Sequence, residues 1–215
     1  MNLLLPRALL LDLDGTLADS LSVMYQVYQR FLAQFQCEPS NAEFDSLNGP
    51  PLNEVVHRLK ASHQLEGDEN TLLANYYDLI DAVYLDVKPA FGAQNLLQKA
   101  KEQGAIVGIV TSNTKKRTET WLKSVLLRPM IDFIVSGEEV TKGKPHPEPY
   151  ISASKKTCCQ LSEIVAIEDS PQGARAAIDA GLKTLVVNYE KNNSWPQGVQ
   201  PITSLLQAAE QWFSN

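Results

Sequence analysis

The run Ala8-Leu9-Leu10-Leu11 followed directly by Asp12-Leu13-Asp14-Gly15-Thr16 constrains this chain more than any other feature. An apolar strand ends in two carboxylates two positions apart, and a Gly-Thr turn follows at once. A strand continued through both aspartates would put their side chains on one face. Two anions confined together repel, so the pattern calls for a cation beside them: a metal ion, a buried lysine, or both. A plain Asp-Gly turn after a strand would leave the same letters, so the decision rests with the rest of the chain.

Four further apolar runs read as buried strands: Ala105–Val110, Ile131–Val135, Ile164–Ile167 and Thr184–Val187. Helical patterns at Phe91–Gln103, Thr118–Leu126, Glu148–Thr157 and Pro171–Ala180 separate them. This alternation predicts an α/β fold with a Rossmann-like parallel sheet covered on both faces. Ser170 is suited to cap a helix that has Pro171 in its first position, and Gly181 and Gly104 stand where helices stop.

More than ninety residues lie between the first and second strands, far beyond an ordinary crossover. Three stripes of helical period fill them. Leu21, Met24, Val27, Tyr28, Phe31, Leu32 and Phe35 form the first, Leu52, Val55, Val56 and Leu59 the second. Leu72, Leu73, Tyr76, Tyr77, Ile80, Val83 and Tyr84 form the third. All three read as the core of a small helical bundle. The chain is therefore expected to divide into an α/β core at 1–18 and 88–215 and an inserted helical-bundle cap at 19–87. Asn192–Pro201 reads as a polar loop before a last helix at Ser204–Phe213.

Charge and cysteine content narrow the setting. A formal net charge of −6 argues against nucleic acid as a partner. The compact basic run Lys115-Lys116-Arg117 reads as a solvated helix start. No apolar stretch approaches the roughly 20 residues of a membrane span. Met1–Pro6 lacks the pattern of an export signal and leads straight into the first strand. Cys37, Cys158 and Cys159 are an odd number with no disulfide or zinc spacing, which suits a reducing cytoplasm. His57, His63 and His146 lack metal spacing and are expected to be structural or exposed. The expected assembly is a monomer or weak homodimer.

Ligands of open α/β sheets bind beyond the carboxyl ends of the strands. There the chain offers Asp12 and Asp14, then Thr111-Ser112-Asn113, then Lys144, and finally Glu168-Asp169-Ser170. Taken singly, each could be a helix cap or a surface charge. Together, at the same end of successive strands, they suit phosphoryl transfer. Asp12 can attack phosphorus and form an aspartyl-phosphate. A hard divalent ion, magnesium (Mg²⁺), would neutralise Asp12 and Asp169 and grip a phosphate oxygen. Lys144 and the Thr111 hydroxyl can hold the remaining oxygens. Asp14 can be the acid for the leaving alcohol and then the base for the hydrolytic water.

Across nearly its whole length the chain resembles the haloacid dehalogenase-like hydrolases. Asp12-Leu13-Asp14-Gly15-Thr16 matches their first motif and Val110-Thr111-Ser112-Asn113 the second. Lys144 in Gly143-Lys144-Pro145 matches the third, and Glu168-Asp169-Ser170 the fourth. The resemblance implies that Thr111, Ser112, Asn113 and Lys144 bind phosphate or substrate. It implies metal ligation by Asp12, the Asp14 backbone carbonyl and Asp169, with Glu168 in or near the metal's outer shell. Asp19-Ser20 resembles the hinge, and Asn48-Gly49-Pro50-Pro51-Leu52 the cap loop, of the phosphoglycolate phosphatase and β-phosphoglucomutase branches. The mutases carry Arg near Leu52 and His near Met24, and this chain has neither. The expected activity is thus hydrolysis of a small phosphorylated metabolite, among hexose monophosphates and two- or three-carbon phosphates. A phosphomutase, or a silent relative that only binds a phosphometabolite, is the alternative.

Overall fold

All four side chains of β1 (Ala8–Leu11) are fully buried, so this strand must be covered on both faces. The computed structural model describes residues 5–47, 49–189 and 194–213. Met1–Leu4, Asn48 of the predicted cap loop, and Asn192 and Asn193 of the predicted tail loop lie outside the described residues. After β1 come α1 (Leu21–Ala33), α2 (Asn41–Ser46), α3 (Leu52–His63), α4 (Glu69–Asp81) and α5 (Ala93–Glu102). The chain continues through β2 (Ile106–Val110), α6 (Lys115–Ser124), β3 (Phe133–Val135), α7 (Glu148–Thr157) and β4 (Ile164–Glu168). It ends with α8 (Pro171–Asp179), β5 (Lys183–Val186), β6 (Gln200–Pro201) and α9 (Leu205–Phe213).

The strands form one parallel sheet in the order β3-β2-β1-β4-β5-β6, with Leu11 in register with Ile109 and Ile167. Strand order reverses direction between β1 and β4, which is where such sheets open a crevice for ligands. Leu9 and Leu11 join Leu97 of α5, Trp121 of α6 and Ala208 of α9 in one apolar cluster. Ala8 and Leu10 pack into a second cluster with Tyr150 of α7 and Ala176 of α8. Alternation along β1 therefore serves two cores, and the Rossmann-like α/β architecture is as the sequence predicts.

Local differences have local causes. β3 starts two residues later than expected, at Phe133, and a 3-10 turn at Arg128–Met130 precedes it. β4 runs one residue longer than expected and takes in Glu168. β6 falls in the predicted loop. Its two exposed residues carry no apolar pattern, and it is a strand only because β5 presents a free edge to it. α6 begins earlier than its apolar pattern, at the residue after Thr114, whose side chain accepts from Arg117 N. Arg117 in that first turn is buried rather than solvated.

Between β1 and α5, the apolar faces of α1, α3 and α4 meet in the same cluster, with the Phe31 and Tyr76 rings 4.8 Å apart. α2 buries no residue and had no stripe to betray it. The third stripe breaks at Asp81, and Tyr84 turns into the interior from a separate 3-10 turn, Tyr84–Asp86. The chain enters and leaves this helical segment through adjacent crossings. Asp19 N donates to Lys88 O at 2.9 Å and Ala90 N to Leu17 O at 2.9 Å. Trp121 braces the return crossing, donating from Nε1 to Val87 O at 2.9 Å with its ring edge-on to Tyr84. No helix among the described residues is long and apolar enough to cross a membrane.

Trp121→Phe should keep most of the apolar volume while leaving the Val87 carbonyl without its buried donor. Urea unfolding at constant pH should register a loss of about 1–3 kcal/mol.

Candidate active site

β1 ends at Leu11, yet Asp12 still adds one ladder bond, from its N to Ile167 O at 3.0 Å, before the chain turns through Leu13. The strand does not continue to Asp14, so the two carboxylates do not share a strand face as their spacing suggested. The turn sends them to different neighbours.

Asp12 meets Lys144. The ammonium lies 2.5 Å from Asp12 Oδ1 and 2.6 Å from Glu168 Oε1, and donates to Val110 O at 3.0 Å. These three acceptors match the three N–H groups of a lysine. Lys144 is thus a buried counter-ion, and it would meet a phosphate only by sharing a hydrogen already engaged. Glu168 Oε1 also accepts from the Tyr150 hydroxyl at 2.7 Å.

Asp12, Glu168 and Asp169 are all buried, each with a carboxylate oxygen within 4.8 Å of the others. Gly15 makes the approach possible. Its φ is +82°, and a Cβ there would stand 2.0 Å from Asp169 Oδ2. Three carboxylates face one ammonium. Burial pushes the Asp12 carboxyl up to about 7 despite Lys144, and pushes Asp169 well above the usual carboxylate range, with Asp12 adding to it. Burial opposes the charge of Lys144, but Asp12 and Glu168 outweigh it and hold its pKa above the ordinary value. Asp12 Oδ2 is buried without a hydrogen-bond partner among the described residues. An all-oxygen, electron-rich cluster with an unpartnered acceptor fits a hard divalent cation.

Asp14 is held otherwise. Its Oδ1 accepts from the Tyr84 hydroxyl at 2.7 Å and its Oδ2 from Asn113 Nδ2 at 3.1 Å. Burial and the Asp14 charge raise the Tyr84 pKa well above its ordinary value, which keeps the phenol a donor. Asn113 Oδ1 in turn accepts from Arg117 Nη1 at 2.7 Å, and Arg117 Nε donates to Asp81 Oδ1 at 2.7 Å. The guanidinium also lies over the Tyr77 ring, 5.1 Å from its centroid. A continuous polar chain thus runs from α4 to Asp14. Both Asp14 carboxylate oxygens accept from neutral donors, and Asp14 stands outside the acidic trio.

The remaining candidates divide. Thr111 Oγ1 accepts from Asn113 N at 3.0 Å, which leaves its hydroxyl hydrogen available. Ser112 Oγ donates to Gly49 O at 3.0 Å and so ties the loop at Gly49 to the end of β2 rather than presenting a hydrogen to a ligand. His57 and His63 pair with Glu69 and Glu43, and His146 stands beside Glu148; none of the three belongs to the acidic cluster. Above Asp12, Asp14 and Asp169 lies a cavity of about 140 Å³ that Met24 and Leu52 also line. Sequence reading missed Tyr84 and Arg117. The four-residue spacing from Arg117 to Trp121 was a readable signal, since it puts both on one helix face. Tyr84 carried none, being absorbed into the α4 stripe.

The family model described as haloacid dehalogenase-like hydrolase matches residues 9–187. A validoxylamine A 7'-phosphate phosphatase of Streptomyces hygroscopicus is 28% identical over 181 residues, covering 82% of this chain and 83% of that protein. A phosphoglycolate phosphatase of Pseudomonas fluorescens is 25% identical over 202 residues, covering 89% and 73%. The crystal structure of a β-phosphoglucomutase from Clostridium difficile superposes with a TM-score of 0.82 at 19% identity, over 96% of this chain and 97% of that one.

Lys144→Met removes the ammonium from the buried carboxylates. It should destabilise the protein by about 3–5 kcal/mol in metal-free buffer at pH 7. Chemical unfolding checks this, and a divalent cation should recover part of the loss.

Proposed function

The chain belongs to the haloacid dehalogenase-like hydrolases, and from that premise we propose that it is a Mg²⁺-dependent phosphatase of a small phosphorylated metabolite. The observation that carries the reading is the separation of Asp12 and Asp14 into two chemical environments. Asp12 is poised beside Lys144 with one oxygen unpartnered, whereas Asp14 is oriented by neutral donors at the cavity floor. Paired carboxylates in unlike surroundings take unlike roles.

In this reading an Asp12 oxygen attacks phosphorus as the bond to the ester oxygen breaks, and Asp14 gives its proton to the departing alkoxide. Asp14 then takes a proton from water as that water attacks the aspartyl-phosphate, which frees Asp12 and inorganic phosphate. Thr111 and Lys144 steady the phosphoryl oxygens, Lys144 by sharing hydrogens it gives to Asp12 and Glu168. Ser112 and Asn113 act one step removed, Ser112 by fixing the Gly49 loop and Asn113 by orienting Asp14. Asp12, Asp169 and the Asp14 carbonyl, with Glu168 beside them, would hold a Mg²⁺, which would supply charge neutralisation and polarisation of a phosphoryl oxygen.

The segment 19–87 serves as a cap domain on a core of 1–18 and 88–215, moving about the paired crossings at Asp19-Ser20 and Asp86–Pro89 to regulate water access. The free cysteines Cys37, Cys158 and Cys159 suit a cytoplasmic setting. Relatives named for different phosphorylated substrates support the reaction class rather than one substrate. A phosphomutase needs a group for a second phosphate. Leu52 and Met24 stand where the mutases carry Arg and His, and Arg117, which also lines the cavity, donates from Nε to Asp81 and from Nη1 to Asn113. Hydrolysis is therefore the better reading.

Phosphate release from a panel of phosphomonoesters, with and without Mg²⁺, tests it. Asp12→Asn should abolish turnover, and Asp14→Asn should lower it by roughly 10²–10⁴. EDTA should silence the enzyme, Mg²⁺ should restore it, and Ca²⁺ should do so poorly because of its looser coordination. Full turnover by Asp12→Asn, or in chelator, refutes the assignment. Conversion of β-glucose 1-phosphate to glucose 6-phosphate faster than phosphate appears would establish the mutase instead.

A further inference from the structure

The cavity has two unlike halves. Its floor carries Asp12, Asp14 and Asp169, where a phosphoryl group would react, but its wall is built from apolar and aromatic side chains of the helical segment. Met24 of α1, Phe44 of α2, Leu52 and Val55 of α3, and Tyr77 and Ile80 of α4 all face it. The two halves are one continuous space, so an alcohol esterified to a phosphate on that floor can reach the wall.

Beyond the reaction centre, several of the polar side chains that reach the cavity are engaged with protein partners. Ser112 donates to Gly49 O, Asn113 bridges Asp14 and Arg117, and Arg117 is held by Asp81. A polyhydroxylated alcohol placed here would lose its water and find few donors or acceptors in exchange, an unfavourable trade for each hydroxyl buried. An apolar alcohol loses nothing by the same transfer and gains contact area. The Tyr77 ring, which has the Arg117 guanidinium 5.1 Å from its centroid, adds aromatic surface to the lining.

We propose that the pocket selects phosphomonoesters whose alcohol half is largely apolar, about the size of one aromatic ring, over sugar and polyol phosphates. The proposal rests on the phosphatase reading and narrows it. Hexose and short polyol phosphates, which the motifs alone favour, match the floor but not the wall.

The test compares kcat/KM of the full chain with Mg²⁺ for benzyl phosphate, glycerol 3-phosphate and glucose 6-phosphate. All three are primary alkyl esters, so intrinsic leaving ability is similar and the wall decides. Acetyl phosphate, small and activated, reports the chemistry independently of the wall. Benzyl phosphate should exceed both polyol esters by about tenfold or more. Leu52→Asn should reduce its advantage over glycerol 3-phosphate by roughly fivefold. Met24→Gln tests the same point should the first variant not fold. Equal or better turnover of the polyol esters, or a ratio unmoved in a folded variant, overturns the proposal. Acetyl phosphate hydrolysis without benzyl phosphate hydrolysis also overturns it while the phosphatase reading stands. If neither the three esters nor acetyl phosphate is hydrolysed, the phosphatase reading falls and takes the proposal with it.

Discussion

A single ammonium, that of Lys144, holds the centre of this molecule together. Asp12 at the end of β1 and Glu168 at the end of β4 both lie within 2.6 Å of it, and Val110 at the end of β2 gives it a carbonyl. Three adjacent strands are thus tied at their carboxyl ends by one side chain from the β3–α7 connection. Buried ion pairs of this kind are weak contributors to stability, because removing both charges from water offsets most of their attraction. Their presence is better explained by what they prepare: Asp12 fixed in place and a cluster of carboxylates whose repulsion remains only partly answered.

That residual repulsion organises the surroundings. Gly15 and Gly173 occur where a Cβ would strike the Asp169 or Glu168 carboxylate at 2.0 to 2.1 Å, so backbone is brought against acid without a side chain between. Tyr150 caps Glu168, and the Tyr150 hydroxyl is pushed well above its ordinary pKa by burial and by that carboxylate. A cation added to this cluster would lower the electrostatic repulsion among the carboxylates and so would link metal binding to stability.

Asp14 answers to a different part of the structure. Tyr84 comes from the returning end of the helical segment, and the Asp81–Arg117–Asn113 chain links α4 to the same carboxylate. The acid/base group proposed for the reaction is therefore oriented by the element that also walls the alcohol side of the cavity. Any shift of that element would alter the hydrogen bonds of Asp14 along with the shape of the pocket.

The strands, the helical insertion and the family were legible in the sequence because they rest on local signals. Apolar runs, helical period, Ser170-Pro171 and Asp12-Leu13-Asp14-Gly15-Thr16 are each written within a few adjacent residues. β6 was not, since an exposed Gln200-Pro201 becomes a strand only when β5 offers its edge. The spacing of Asp12 and Asp14 suggested one shared face, and the turn at Leu13 and Gly15 separated them. Arg117 looked like one of three solvated basic residues until the approach of Asp81 and Tyr77 buried it. Met24, Leu52 and Tyr77 looked like bundle core, and the stripes do bury one side of each helix, but their other flank faces the cavity. Periodicity tells which side chains leave water. Only the packing of α1, α3 and α4 over the strand ends decides whether they meet each other or a ligand, because that depends on distances between residues remote in sequence.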